Sequence, residues 1–468
     1  MSEKIFEYFK EICSIPHGSG DMEKIAEYCI EFALSNQLKY ERDSANNVII
    51  YKNGSKGYEN SAPIILQGHL DMVCQKTSDS NIDFSKDGIE SYTDGEFIKA
   101  NNTSLGADNG IAVSMILAIL SDNSLAHPPI EAVFTTDEEI GMIGASKLDF
   151  SLLSAKKMIN IDSEEADTIT VSCAGGSDFS ARIPVKRENK NGVKAELTLK
   201  GLKGGHSGIE IDKGRINADI LMGRVLNSID NISLISLNGG DKGNAIPNRC
   251  TAEILCDNYD EFRPCAEGVL NTIKREISAR ESDFDYEIKL IGQGEYDTFA
   301  DSKSIITALY CAPCGICEMS AEIDGLVETS LNLGILKTEK DAVLMHFALR
   351  SNKQSALIAL QDKLSAYFSL FGATVTTSGH YPPWEFNENS VLREQYREIY
   401  KNATGKEVKV EAIHAGLECG VFASGIKGLD CIAIGPDLFD VHTVNERLDI
   451  ASTRMIFDNL LKILEKNK

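Results

Sequence analysis

Three short apolar runs in the first third of the chain, in IILQGHLD, EAVFTTDEE and MINIDSEE, each lead straight into a histidine or into carboxylates. Runs of this length are strand-sized, whereas Ile111–Ser121 is long and apolar enough for a buried helix. Strands expected at Asn47–Tyr51, Ile64–Leu66, Ile130–Phe134 and Met158–Ile161, alternating with helices, specify an α/β fold with a mixed, largely parallel sheet between helices. In open sheets of that kind, reactive groups gather at the carboxyl ends of the strands. His69, Glu138, Glu139 and Asp162 all fall there.

Two further motifs complete the set: Asp108 in GADNG and His442 in DVHTVNERL. Two imidazoles with several carboxylates, beside turn glycines or at strand ends, are the donors a pair of Zn²⁺ ions takes. His69, Asp108 and Asp162 suit one ion; His442, Glu139 and a shared Asp108 suit the other. Three carboxylates against two dications leave one positive charge, which a bridging hydroxide neutralises. Asp71 stands two residues from His69, where a carboxylate can fix the imidazole tautomer. Adjacent Glu138 and Glu139 diverge, so one can face a cation and the other the attacking water.

Each motif alone has an ordinary reading. His69 and Asp71 could be a hydrogen-bonded pair at a strand end, and Asp108 a helix cap. Residues 137–139 could be a solvated acidic run, Asp162 a turn aspartate and His442 a loop histidine. Five motifs in one consistent α/β context outweigh these readings and point to a metallohydrolase.

At 468 residues the chain exceeds one ordinary core, so two domains are expected. From about Gly176 the pattern changes: KAELTLKG alternates at strand period, GGHSG makes a glycine-rich loop, and Asn217–Asp230 reads as helical. The expected organisation is a discontinuous catalytic domain, 1–176 and 385–468, with an α+β lid domain inserted at 177–384. His206 in GGHSG could donate to a developing oxyanion, with a loop histidine satisfied by Ser207 as the plain alternative. Arg350 alternates with His346 on one strand face, placing a guanidinium fork suited to a substrate carboxylate, or to an interdomain salt bridge.

A net charge of −23 repels phosphate backbones and anionic membranes, which argues against nucleic-acid partners. No run approaches the roughly 18–20 apolar residues of a membrane span. The opening MSEKIFEYFKEICSIP is charged and helical in period, unlike a signal peptide, so a cytoplasmic location is expected. Twelve cysteines then read as free thiols. Cys311, Cys314 and Cys317 in CAPCGIC could open a metal site, but no well-spaced fourth cysteine follows, and packed thiols are the simpler reading.

Taken together, these motifs resemble the di-zinc exopeptidase superfamily, which includes carboxypeptidases, deacetylases and dipeptidases. More narrowly, GHLDMVCQK, TTDEEIGMIGA, GGHSGIEI, NAIPNR and HAGLECG resemble the bacterial aminoacyl-histidine (Xaa-His) dipeptidases of the peptidase D type. The resemblance spans essentially the whole chain. It implies hydrolysis of unblocked dipeptides, with two divalent ions per chain (Zn²⁺, with Mn²⁺ or Co²⁺ as alternatives). It implies His69, Asp108 and Asp162 at one ion, and Asp108, Glu139 and His442 at the other. Glu138 is the implied general base, Asp71 the orienter of His69, and His206 the group polarising the scissile carbonyl. Asn244, Arg350, His414 and Gly416 are the implied substrate contacts, and the assembly a monomer or homodimer. The chain departs from the pattern at Asn248, Asn352 and HTVNER, none of which removes a ligand. An amidohydrolase of N-acyl amino acids on the same fold, or a silent metal-binding scaffold, are the competing expectations.

Overall fold

The apolar stretch after GADNG forms the helix Ala107–Ser121, in which every residue from Ile111 to Leu120 is buried. A helix apolar on all sides has no face to offer solvent and must lie inside. It packs against the strand Ile64–His69 and the N-terminal helix Ser2–Cys13. The helix starts earlier than the apolar pattern predicts, because Ala107–Asn109 form an irregular first turn. Asp108 has ψ 103°, and the Asp108–Asn109 peptide is cis.

The computed structural model describes residues 2–468, and the chain divides into two units. Of the described residues, the first comprises 2–173, 386–412 and 417–468; the second comprises 174–385 and 413–416.

The first unit is built on an eight-stranded sheet. Its order is Lys39–Arg42, Val48–Lys52, Ile130–Thr135, Ile64–His69, Lys157–Asn160, Asp430–Ala433, Thr168–Cys173 and Lys409–Ile413. The four strands from Ile130–Thr135 to Asp430–Ala433 run parallel, with antiparallel pairings on either side. Ile130–Thr135 and Ile64–His69 are buried along their whole length, as expected of strands covered on both faces. The register sets His69 beside Thr135, and Gln67 beside Asn160. The carboxyl ends of three neighbouring strands therefore deliver His69, the turn at Glu138–Glu139, and Asp162.

The second unit is a nine-stranded antiparallel sheet. Its longest strands are Arg187–Lys200 and Asp285–Phe299, and it is covered by the helices Ala218–Asn227, Tyr259–Ile277, Ser302–Tyr310 and Gln354–Ser369. Its core includes the clustered rings of Phe179, Phe347 and Phe368. The helix expected at Asn217–Asp230 runs over Ala218–Asn227: the Asn217 side chain caps its start by accepting from the backbone N–H groups of Asp219 and Ile220, and Ser228 closes its end. Among the described residues, no helix is long and apolar enough to cross a membrane.

Candidate active site

Asp108 is the centre of the first unit's polar cluster. One carboxylate oxygen lies 3.1 Å from His69 Nε2, and the other lies 3.1 Å from His442 Nε2. His442 Nε2 is also 2.8 Å from Glu139 Oε1, and His69 Nε2 is 3.5 Å from Asp162 Oδ1. Three overlapping sets follow whose donor atoms lie within 4.8 Å of one another: His69–Asp108–Asp162, Asp108–Glu139–His442, and His69–Glu138–Glu139. The first two are the ligand sets expected from sequence. The third places Glu138 at the same centre.

The turns that carry these groups are held by residues far away in sequence. Glu446 is 3% exposed, and its two oxygens accept from the N–H groups of Leu105 (2.7 Å), Gly106 (3.0 Å), Ala107 (2.8 Å) and Asp108 (3.3 Å). Four donors and no acceptor suit only an ionised carboxylate, although burial pushes the group upward. Asn109 joins two strand ends: its Oδ1 accepts from His69 N–H at 3.2 Å, and its Nδ2 donates to Ile161 O at 2.7 Å. Gly68 allows that approach, since a Cβ there would lie 2.5 Å from Asn109 Oδ1.

Asp71 has two tasks. His69 Nδ1 is 3.0 Å from its backbone carbonyl and 3.4 Å from its carboxylate. The strand ends at His69, so Asp71 reaches the imidazole through the following turn, not through strand alternation. Its carboxylate accepts from Glu138 N–H (2.9 Å), Glu139 N–H (3.2 Å) and Ser19 Oγ (2.8 Å), which fixes the Glu138–Glu139 turn.

The electrostatics call for positive charge. Burial, with Asp162, Glu418 and Glu139 nearby, pushes Glu138 well above the usual carboxylate range, only partly opposed by His69. Burial pushes Asp162 up to about 6, and Glu164 and Glu418 up to about 7. Burial would lower His69, but Asp162, Asp108 and Asp71 raise it well above its ordinary value. Hydrogen bonds to Asp108 and Glu139 raise His442 to about 10. Among the described residues, no lysine or arginine pairs with Asp108, Glu139 or Asp162; their ion pairs are with His69 and His442. Crowded carboxylates without basic side chains fit divalent cations.

Sequence reasoning passed over Glu418, which lies within HAGLECG. Its Oε2 accepts from Gln67 Nε2 (2.5 Å) and Thr135 Oγ1 (2.7 Å), and Gln67 Oε1 accepts from Asn160 Nδ2 (2.6 Å). Gln67 and Asn160 each precede an expected ligand by two residues, which is the only sequence signal that could have marked them.

The other expected residues belong to the second unit. His206 pairs with Ala245 across a short ladder, and Ser207 N–H donates to Asn244 O at 2.9 Å, which sets Asn244 beside the His206 turn. His206 Nδ1 accepts from Gly208 N–H (3.1 Å) and Ile209 N–H (3.2 Å), so the ring proton sits on Nε2. Burial first, and then Arg350, lower its proton affinity, leaving a neutral donor near pH 7. Arg350 donates from Nη1 to Tyr381 OH at 2.8 Å. Both nitrogens of His414 are engaged, Nε2 with Ser330 Oγ (2.7 Å) and Nδ1 with Asn352 Oδ1 (3.3 Å), so any substrate contact would fall to its ring edge. Gly416 follows on the same half-buried loop. In CAPCGIC, Cys314 Sγ accepts from Asn217 Nδ2 and Leu333 N–H, while Cys311 and Cys317 are exposed.

The chain is 37% identical to the cytosol non-specific dipeptidase of Escherichia coli K12 over 473 residues, covering 99% of this chain and 97% of that one. It superposes on the crystal structure of aminoacylhistidine dipeptidase from Vibrio alginolyticus with a TM-score of 0.93 and 35% identity, covering 99% and 96% of the two chains. An aminopeptidase from Bacillus cereus shares the fold at a TM-score of 0.59 and 14% identity, over 100% of this chain and 99% of that one. The sequence profile of peptidase family M20/M25/M40 matches residues 65–466, and the chain belongs to that family.

Proposed function

We propose that this chain is a metal-dependent dipeptidase that cleaves unblocked dipeptides, Xaa-His among them. The observation that carries the reading is Asp108, whose two oxygens face the two histidines of two separate ligand sets. The whole-length similarity to two dipeptidases supports the substrate class.

His69, Asp108 and Asp162 would hold one cation, and Asp108, Glu139 and His442 the other, with Zn²⁺ the ion best matched to imidazole and carboxylate donors. Bound there, such ions supply Lewis-acid polarisation and a more acidic water. The remaining work falls to side chains. Glu138, aimed by the Asp71 contact to its backbone and raised by burial, takes a proton from water as the oxygen attacks the carbonyl carbon. It returns that proton to the amine nitrogen as the C–N bond breaks. His206, neutral with its proton on Nε2, donates to the carbonyl oxygen as negative charge develops there. Arg350, Asn244, Gly416 and the ring edge of His414 are assigned to substrate contact, and residues 177–384 to a lid domain.

Hydrolysis of unblocked Xaa-His and Xaa-Xaa dipeptides, beside N-acetyl amino acids, tests this on chelated protein before and after Zn²⁺ or Mn²⁺ is restored. Metal-dependent cleavage of the free dipeptides alone, lost in Glu138→Ala, is the expected result. Cleavage of only the acetylated compounds would replace the reading with an amidohydrolase, and no turnover with metal bound would refute it.

A further inference from the structure

We propose that the second unit contains a binding pocket for a small organic monoanion with an aliphatic body, and that its occupant acts on the turn holding His206. The second half of this proposal rests on the reading of His206 as the carbonyl donor.

A cavity of about 330 Å³ lies between the helices Ala218–Asn227 and Tyr259–Ile277, with Arg215 and Ile246 also in its lining. That volume is at the lower end for small-molecule sites, about 300–1,000 Å³. Ile216, Ile220, Leu221 and Ile277 provide apolar wall. Three arginines, Arg215, Arg224 and Arg280, line it against a single carboxylate, Glu276. Arg224 spends its fork on Glu276 (2.9 and 2.7 Å) and Arg215 pairs with Glu210 just outside the lining, so Arg280 supplies the excess positive charge in a chain of net charge −23. Aliphatic walls beside an excess of guanidinium select an amphipathic anion, a carboxylate above all.

The same cavity backs onto the His206 turn. Arg215 donates from Nη1 to Gly204 O, and from Nη2 to Glu210 Oε1 at 2.6 Å. Glu210 Oε2 accepts from His206 N–H at 2.8 Å. Ile246, also in the lining, pairs with Gly205, and the lining residue Asn332 donates to Ala245 O at 2.8 Å. A carboxylate reaching Arg215 competes with Glu210 and the Gly204 carbonyl for its donors. That loosens the clamp on the His206 backbone, and turnover falls.

The test is titration of the full-length, metal-loaded protein with hexanoate by calorimetry. In parallel, the His206 ring nitrogens are followed by NMR on ¹⁵N-histidine-labelled protein. Hexylammonium, with the same body and opposite charge, and inorganic phosphate, with charge but no body, are the controls. Arg280→Glu is the variant, since Arg280 is exposed and outside the His206 clamp. The expected result is one saturable hexanoate site per chain, weakened at least about tenfold by Arg280→Glu. The controls should not bind, and the His206 shifts and kcat should change with the same half-saturation. No saturable hexanoate binding, or equal binding of hexylammonium, overturns the pocket. Binding that leaves the His206 shifts unmoved overturns the coupling. If the protein cleaves no dipeptide, the functional reading fails, while calorimetry and NMR still decide the pocket.

Discussion

Replacing Glu446 by glutamine keeps the shape of the side chain and removes two of its acceptor positions. The carboxylate now takes four backbone N–H groups, two per oxygen, from Leu105 through Asp108. In Glu446→Gln the amide oxygen can still serve one pair, but the NH₂ group faces the other pair donor to donor. Two buried N–H groups lose their partner at about 1–3 kcal/mol each, so a loss of about 3 kcal/mol is a moderate figure. In a unit of roughly 250 residues each kcal/mol moves Tm by about 2–4 °C, which gives a drop of roughly 6–12 °C. Asp108 rides on this turn, so divalent-ion affinity should fall too, by about 10–100-fold if Glu446 acts as supports of metal ligands generally do. Scanning calorimetry of the chelated protein reads the first effect, and Zn²⁺ titration against a competing chelator reads the second. A Glu446→Gln protein that melts within a degree of the parent and binds metal equally well would refute the reasoning, since it would mean the carboxyl is neutral or the four contacts are not made.

Asp219 is fully buried, with neither oxygen hydrogen-bonded to nitrogen or oxygen and the Cys250 thiol beside it, and burial pushes it up to about 8. A folded-state pKa above the unfolded value of about 3.9 means that ionisation opposes folding. Stability should therefore decline between about pH 4 and pH 8 by several kcal/mol at most, and level off above. Asp219→Asn should flatten that slope in urea titrations across this range, and an unchanged slope would count against it. Glu138→Gln should reduce kcat by about 10²–10⁴-fold with metal content unchanged by elemental analysis. Metal uptake at neutral pH should release protons, because hydrogen bonds to Asp108 and Glu139 hold the His442 imidazole protonated up to about pH 10 until an ion displaces the proton. Calorimetry in buffers of different ionisation enthalpy would show it. Chelation should lower Tm, and restoring the ion should reverse the loss.

Much of the site was legible because its signals are local. An apolar strand that ends in His69, in Glu138–Glu139 or shortly before Asp162 reveals both the element and the end from which the side chain projects. The composition of Ile111–Leu120 likewise announces a buried helix. The supports were not legible. Glu446 meets Leu105 from more than 300 residues away, and Glu418 meets Gln67 from a similar separation; nothing in either local stretch names its partner. The opening turn of the long helix was misplaced for the same reason, since its conformation answers to Glu446 and not to helix propensity.

By itself, the sequence determined the donor inventory, the strand ends that carry it, and a net charge that disfavours anionic polymers, because each depends on residue type and short-range spacing. Only the tertiary structure decided that Asp108 turns one oxygen to His69 and the other to His442, that Asp71 braces the Glu138–Glu139 turn, and that both nitrogens of His414 are already taken. It alone revealed the arginine-lined cavity behind the His206 turn. Such features arise where chain segments far apart in sequence meet, and the geometry of that meeting is set by the packing of the whole unit.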